Sequence, residues 1–215
     1  MFFKRVKASF STFFRLFRVS LQVVRSVWRF TKIEGPFVSV FGGARLPQNH
    51  PYASKVQELS ARLVKEGISV ITGGGPGVMY AANCGAKEEG SGKSIGVGVR
   101  GLEAERRNPC MDEYFELNYF FARKWMLTRF SETFVIFPGG FGTIDELSEI
   151  LTLMKTKKLK KVPIVLFGKE YWTPLIKWVD TGVSHDLISK EYLKLFILTD
   201  DLEEVFCIAR DECKI

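Results

Sequence analysis

Two glycine-rich segments that follow apolar runs are the residues of this 215-residue chain best suited to bind a ligand. They are Gly73–Gly77 and Pro138–Gly142, the second followed by Thr143. Glycine after a strand lets backbone N–H groups approach a phosphate, and the N-terminus of the next helix adds donors and the positive end of a dipole. One such loop serves equally well to turn the chain. Two at neighbouring strand ends favour a phosphate site.

Neither segment fits a common nucleotide-binding motif. The P-loop spacing G-x-x-x-x-G-K-[ST] is absent. The first turn, after Phe41, holds only Gly42 and Gly43, and no acidic residue ends the second strand, as a dinucleotide fingerprint requires. These observations disfavour ATP hydrolysis and hydride transfer.

The cysteines and histidines give no sign of a metal site. Two histidines and the absence of a C-x-x-C pair argue against structural zinc. We expect neither a metal nor a cofactor, and we interpret the scattered cysteines as reduced thiols in a cytosol-like compartment. The cysteines are Cys84, Cys110, Cys207 and Cys213.

Glu146 and the Arg123-Lys124 pair are the charged candidates for a functional role beside these loops. Glu146 follows Thr143 by three residues, which is the spacing of a capping box, and that structural interpretation is the stronger one from spacing alone. The alternative is a carboxylate that faces the sugar of a bound nucleotide. Arg123 and Lys124 form the second candidate, for which a solvated basic face is the structural alternative.

Short apolar runs alternate with helical patterns from residue 37 onward. We predict helices over 52–66, 119–130, 170–179 and 201–211, with further helices after each glycine-rich loop, to about Glu89 and Lys155. The predicted strands are Phe37–Phe41, Ile68–Thr72, Ser94–Val99, Thr133–Phe137, Val162–Phe167 and Phe196–Thr199.

This alternation predicts a doubly wound, Rossmann-like α/β domain over residues 34–215. Nearly continuous apolar strands indicate a parallel sheet covered on both faces. Ligands of such sheets bind beyond the carboxyl ends of the strands. The loops 42–43, 73–77 and 139–142 lie at that edge.

Residues 1–33 are expected to form a separate, basic N-terminal helix. They hold eight Lys and Arg and no acid, which leaves 23 basic and 24 acidic side chains in residues 34–215. A neutral body does not support nucleic-acid binding, and no apolar run reaches the roughly 18–20 residues of a spanning helix. Over residues 8–30 one face is apolar and the other rich in arginine. The apolar face consists of Phe10, Phe14, Phe17, Leu21, Val24 and Trp28.

Three interpretations of this helix stay open. It packs on the body or on a second subunit, lies on an anionic membrane surface, or is a cleaved targeting peptide. Leu21 and Val24 make the aromatic face continuous, which favours packing on protein.

The motifs resemble those of the LOG ("lonely guy") family, many of whose members once carried the label lysine decarboxylase. Pro138–Glu146 reads PGGFGTIDE and matches the family's PGGxGTxxE motif. Gly73–Met79 reads GGGPGVM and resembles its GGGxxGxM segment, and Arg123-Lys124 resembles its Arg-Lys pair. Phe120-Phe121-Ala122 stands where many plant members carry His-Glu, so the resemblance implies glycosidic chemistry more firmly than cytokinin specificity.

The resemblance implies a dimeric phosphoribohydrolase that splits adenosine-type nucleoside 5'-monophosphates, including cytokinin nucleotides, into base and ribose 5-phosphate. It implies catalytic roles for Arg123 and Glu146. The alternative is a non-catalytic binder such as the molybdenum-cofactor carriers of this fold. The expected substrate- and phosphate-binding residues are Gly42, Gly43, Gly74, Gly75, Gly77, Met79, Lys124, Gly139, Gly140, Phe141, Gly142 and Thr143.

Overall fold

Seven parallel strands form one sheet in the computed structural model, which describes residues 2–88, 90–101 and 107–214, with the backbone alone for 2–11. The strand order is β4-β3-β2-β1-β5-β6-β7, and every neighbouring pair is parallel. This confirms the predicted doubly wound, Rossmann-like α/β fold. The strands are β1 (Phe37–Phe41), β2 (Ser69–Thr72), β3 (Ser94–Val99), β4 (Glu113–Leu117), β5 (Thr133–Ile136), β6 (Ile164–Phe167) and β7 (Phe196–Thr199).

Helices cover both faces of the sheet. One apolar core lies beneath α2, α3 and α7, and the other lies beneath the end of α1 together with α4, α5 and α6. Every residue of the inner strands β2, β3, β5 and β6 is buried, which is why their sequences read as continuous apolar runs. The helices are α1 (Phe2–Phe30), α2 (Pro51–Lys65), α3 (Val78–Ala86), α4 (Phe120–Arg129), α5 (Phe141–Lys155), α6 (Lys169–Ser184) and α7 (Leu202–Cys213), with a 3₁₀ turn at Lys190–Lys194.

The edge strand β4 was not predicted. Its sequence EYFEL buries Phe115 and Leu117 and leaves Glu116 exposed, so it lacks the apolar run of the inner strands. The helix α1 lies along it, with the Gln22 amide donating to the Glu116 carbonyl at 2.9 Å and Arg29 paired with Glu113 at 2.6 Å.

The C-terminal half of α1 belongs to the core of the body. Phe30 is 1% exposed, and its ring lies 4.4 Å from that of Phe130 and 4.9 Å from that of Phe37. Val19 is also buried. A division of the chain at residue 33 stays a prediction, but this packing means that residues 19–30 help to complete the sheet's covering.

The predicted aromatic face of α1 does not pack on the chain's own body, so that part of the expectation is wrong. Phe17, Val24 and Trp28 are each about 60% exposed, because the helix contacts β4 through its opposite side. The side chain of Phe10 lies outside the described residues. No helix in the described ranges has both the length and the apolar character required to cross a bilayer.

The expectation of four reduced thiols is wrong for two of them. Cys84 of α3 and Cys110 form a disulfide, with their Cα atoms 4.7 Å apart. The Ser94 hydroxyl lies between the two segments, within hydrogen-bond distance of the Cys110 carbonyl at 2.6 Å and of the Asn83 carbonyl at 2.9 Å, a contact that spacing could not reveal. Cys207 and Cys213 are free thiols, and burial raises the pKa of Cys213 to about 12.

We predict that Phe30→Ala lowers the free energy of unfolding by about 3–5 kcal/mol, the usual cost of removing a buried phenylalanine ring. Phe17→Ala, on the exposed face of the same helix, should change it by no more than about 0.5 kcal/mol. Equilibrium denaturation in urea measures both. Equal effects would contradict the packing of α1 described above.

Candidate active site

Three loops at the carboxyl edge of the sheet are joined backbone to backbone. The Gly43 N–H donates to the Pro138 carbonyl at 2.9 Å, and the Val78 N–H donates to the Gly43 carbonyl at 3.1 Å. A Cβ on Gly139 would lie 2.7 Å from the Gly43 nitrogen, which real side chains do not tolerate. Gly77 has φ +67° and lies against Ala44. The glycines here therefore allow the loops after β1 and β5, and the start of α3, to meet.

The helix α5 begins earlier than a capping box at Thr143 would require. Its N-cap is Gly140, without a side-chain cap, and Phe141 is its first residue. Thr143 is thus the third helical residue, with its N–H donating to the Gly140 carbonyl at 3.0 Å, and Glu146 is the sixth. The capping-box interpretation of Glu146 is therefore wrong, and its half-buried carboxylate faces a cavity instead.

Arg123 is a buried cation that lines the same cavity as Glu146. It lies on α4, is 7% exposed, and its Nε donates to the Val97 carbonyl of β3 at 3.0 Å. Its guanidinium rests against Gly73, where any Cβ would collide with it. The missing side chain at Gly73 thus makes the space that Arg123 occupies.

Lys124 is directed away from the cavity, toward the outer side of α5. Its ammonium pairs with Asp145 at 2.6 Å and with Glu149 at 2.9 Å. Burial lowers the pKa of Lys124, but the hydrogen bonds with these two carboxylates outweigh it, so the pKa is raised above its ordinary value. The predicted substrate contact of Lys124 stays a prediction that this geometry does not support.

The cavity has a volume of about 430 Å³, within the range of small-molecule sites. The structure brings nine predicted residues together around it and adds Ala44 and Arg45, which sequence reasoning missed. A basic residue two positions after Gly43 was the available signal for Arg45. The predicted residues in the lining are Gly42, Gly43, Met79, Arg123, Gly140, Phe141, Gly142, Thr143 and Glu146.

The remaining predicted glycines lie behind the lining rather than in it. The Gly74 N–H donates to the Thr72 hydroxyl, and its carbonyl accepts from the Asn108 N–H, both at 2.9 Å. The Asn108 side-chain amide donates to the Gly75 carbonyl. Phosphate contacts by Gly74, Gly75, Gly77 and Gly139 stay predictions, and the Gly74 N–H already has the Thr72 hydroxyl as its partner.

Two glycines at the start of α5 face unfilled space. A Cβ on Gly140 or Gly142 would meet no atom of the described residues within 4 Å, and Phe141 between them is 92% exposed. Neither glycine is needed for packing within the part of the chain that the structure describes. The space beside the first turn of α5, where backbone N–H groups lack intrahelical partners, can admit a ligand or another chain.

Larger hollows, of about 770 and 710 Å³, lie at the opposite edge of the sheet around residues 155–161. Their walls combine lysine side chains with apolar residues, and the residues that line them include no glycine. In the ranges that the structure describes, no cluster of His, Cys, Asp and Glu is placed to hold a metal. The 430 Å³ cavity combines a helix N-terminus, an arginine and a carboxylate. The first two suit an anionic ligand, and the carboxylate suits a reaction in which positive charge develops on that ligand.

The rice and Arabidopsis relatives described next are named for the same enzymatic activity. The chain is 26% identical over 169 residues to "Cytokinin riboside 5'-monophosphate phosphoribohydrolase LOG" of Oryza sativa subsp. japonica, covering 78% of this chain and 70% of that protein. It is 24% identical over 169 residues to the Arabidopsis thaliana phosphoribohydrolase LOG5, covering 78% and 74%.

Solved structures share the fold. The Moco carrier protein of Chlamydomonas reinhardtii superposes with a TM-score of 0.59 at 23% identity, over 83% of this chain and 98% of that one. The structural-genomics target TM1055 gives a TM-score of 0.61 at 23% identity, over 82% and 99%.

A family model described as "Possible lysine decarboxylase" matches residues 79–208, more than half of the sequence. The match includes Arg123 and the whole first turn of α5. The chain therefore belongs to this family, the LOG family.

Proposed function

We propose that this protein hydrolyses the N-glycosidic bond of adenosine-type nucleoside 5'-monophosphates, AMP or N6-modified AMP such as cytokinin nucleotides, and releases free base and ribose 5-phosphate. The observation that carries the proposal is the meeting of Arg123, Glu146 and the α5 N-terminus around one cavity. The names of the rice and Arabidopsis relatives support it.

The first turn of α5 would bind the 5'-phosphate. Its glycines leave backbone donors accessible, Thr143 is among the lining residues, and Arg45 adds a positive charge from the loop after β1. A phosphate held there does not react. Its binding energy orients the sugar relative to the charged side chains.

Glu146 would act on the sugar. Cleavage of C1'–N9 passes through an oxocarbenium-like ribose, with positive charge on C1' and the ring oxygen. A carboxylate beside that charge stabilises it electrostatically and can accept a proton from the attacking water. The water oxygen bonds to C1', and the C1'–N9 electron pair leaves with the base, which takes up a proton.

Arg123 would hold the substrate against this carboxylate. Its buried position and its bond to Val97 fix the guanidinium, so its charge needs no reorganisation when substrate enters. The buried cation also balances the negative charge of Glu146 in the same lining.

A non-catalytic binder of a phosphorylated ligand is the alternative function. The carrier proteins among the structural neighbours share the fold, and the cavity would accept a phosphorylated ligand without turnover. The carboxylate in the lining argues for catalysis, because a simple phosphate binder gains nothing from a negative charge there.

We also propose that the protein works as a homodimer with a nucleotide as its small-molecule partner. Phe120 and Phe121 at the start of α4 are more than half exposed, and Phe141 is almost fully exposed at the mouth of the cavity. Light scattering of the purified protein tests the assembly.

A cytoplasmic location is likewise a proposal. Its basis is the presence of free thiols, which the structure has at Cys207 and Cys213. The thiol state of Cys84 and Cys110 in cells tests this part.

We predict that the protein releases adenine from AMP and that adenosine is a poor substrate. The backbone N–H donors at the α5 N-terminus bind the 5'-phosphate, which adenosine lacks. Chromatography of reactions with AMP, other nucleoside monophosphates and N6-isopentenyl AMP measures this and the base preference. Equal turnover of adenosine and AMP would contradict the phosphate site. Tight AMP binding with no base released would favour the carrier alternative.

We predict that Glu146→Gln lowers kcat by about 10²–10⁴-fold, the usual contribution of such a group, with little change in melting temperature. Glu149→Gln is the matched control, since it removes the same charge one turn further along α5, where Glu149 pairs with Lys124. Rate and melting curve are measured on the same preparations. A normal kcat for Glu146→Gln, or an equal loss in the control, would contradict the catalytic role.

We predict that Gly142→Ala raises KM for AMP although it stabilises the fold. The added methyl group meets no atom of the described residues within 4 Å, and alanine is favoured over glycine in a helix by about 1 kcal/mol. Gly139→Ala should instead destabilise the protein, because its Cβ would clash with Gly43. Steady-state kinetics and thermal melts separate the two. An unchanged KM in Gly142→Ala would place the phosphate elsewhere.

A further inference from the structure

The helix α1 has two apolar faces, and only one of them is used by the fold. Val19 and Phe30 are buried on the body. The other face carries a strip of large apolar side chains at helical spacing, each 40–64% exposed. This aromatic strip consists of Phe13, Phe17, Leu21, Val24 and Trp28.

The strip is long enough to be a docking surface. At 1.5 Å per residue, positions 13–28 span about 22 Å of helix. A contiguous apolar surface of this kind, rimmed by polar groups, marks an interaction site in a folded protein.

A row of positive charge runs along one edge of the strip. Arg18, Arg25 and Arg29 line a shallow depression on the helix surface together with Gln22. Arg29 is paired with Glu113, but among the described residues no carboxylate pairs with Arg18 or Arg25. Residues 1–33 contain no acid at all.

The contacts with β4 show where the strip lies relative to the cavity. Arg29 bonds to Glu113 at the start of the strand, whereas Gln22 bonds to Glu116 and to the Asn118 N–H at its end. The helix therefore runs antiparallel to β4, and the turns before Gln22 continue past the carboxyl edge of the sheet. That is the edge where the cavity opens.

We propose that the aromatic strip of α1 docks on an anionic lipid bilayer and holds the cavity edge toward the membrane surface. Aromatic side chains on one face with arginine beside them suit the headgroup boundary, where apolar burial and attraction to lipid phosphates add. This inference concerns the location of the protein and stands apart from its catalytic activity.

Charge argues for lipid over a second copy of the strip. If two copies of the strip packed together, each helix would bring its arginines to the interface. Neither helix has an acidic residue that could offset their repulsion. The body does not compensate, since residues 34–215 are close to neutral. Lipid phosphates supply the missing negative charge.

Sedimentation of the full chain with vesicles tests the proposal. Vesicles of phosphatidylcholine are compared with vesicles that also contain phosphatidylglycerol, at low and high salt. We predict that the protein binds the anionic vesicles, and that salt weakens the binding. The double variant Phe17→Ser/Trp28→Ser should bind at least about tenfold more weakly, since two large side chains no longer bury their area.

Trp178→Ser provides the matched control. Trp178 on α6 is 64% exposed, as Trp28 is 63% exposed, but it lies outside the strip, so its loss should leave vesicle binding unchanged. Melting curves confirm that each variant is folded, and AMP turnover of the soluble variants should match that of the parent protein.

Three outcomes would overturn the proposal. The first is no binding to anionic vesicles by a folded full-length chain. The second is equal loss of binding in Trp178→Ser. The third is a change from dimer to monomer in Phe17→Ser/Trp28→Ser by light scattering, which would make a second copy the occupant of the strip. None of these depends on whether AMP is hydrolysed, so each proposal can fail alone.

Discussion

The hydrogen bond from the Gly43 N–H to the Pro138 carbonyl is the contact on which the site depends. It joins the ends of β1 and β5, the adjacent strands at which the strand order of the sheet reverses. Helices that follow these strands leave on opposite faces, so a cleft opens between them. Gly139 lets the two loops touch, and that contact sets the start of α5 beside Arg45 and opposite Arg123.

Much of the fold and about half of the chemistry could be predicted from the sequence. The inner strands carry nearly continuous apolar runs, so the sequence predicts Phe37–Phe41 and Ser94–Val99 with their observed ends. Glycine after a strand indicated the loops, since few other residues allow so close a backbone approach. The roles of Arg123 and Glu146 came from the family resemblance, and the cavity that contains both supports them.

The errors arose where the outcome depends on contacts between distant segments. Thr143 and Glu146 have the spacing of a capping box, but α5 begins at Phe141. Glu146 therefore lies in the second turn of the helix instead of the first. The sequence predicts one apolar face of α1, yet amphipathicity does not say which surface meets the body when Phe30 and Val19 form a second one. β4 was missed because an edge strand needs few apolar residues.

The disulfide between Cys84 and Cys110 links α3 to the segment before β4, so the stability of this part of the protein depends on the redox potential of its surroundings. It closes a chain segment with a sequence separation of 26 residues, for which loop-closure entropy corresponds to about 3.5 kcal/mol. Cys110 is followed by β4 and preceded by Asn108, whose hydrogen bonds hold Gly74 and Gly75. Reduction of the bond would remove that entropy contribution, so the oxidised chain is expected to be more stable to unfolding than the reduced one.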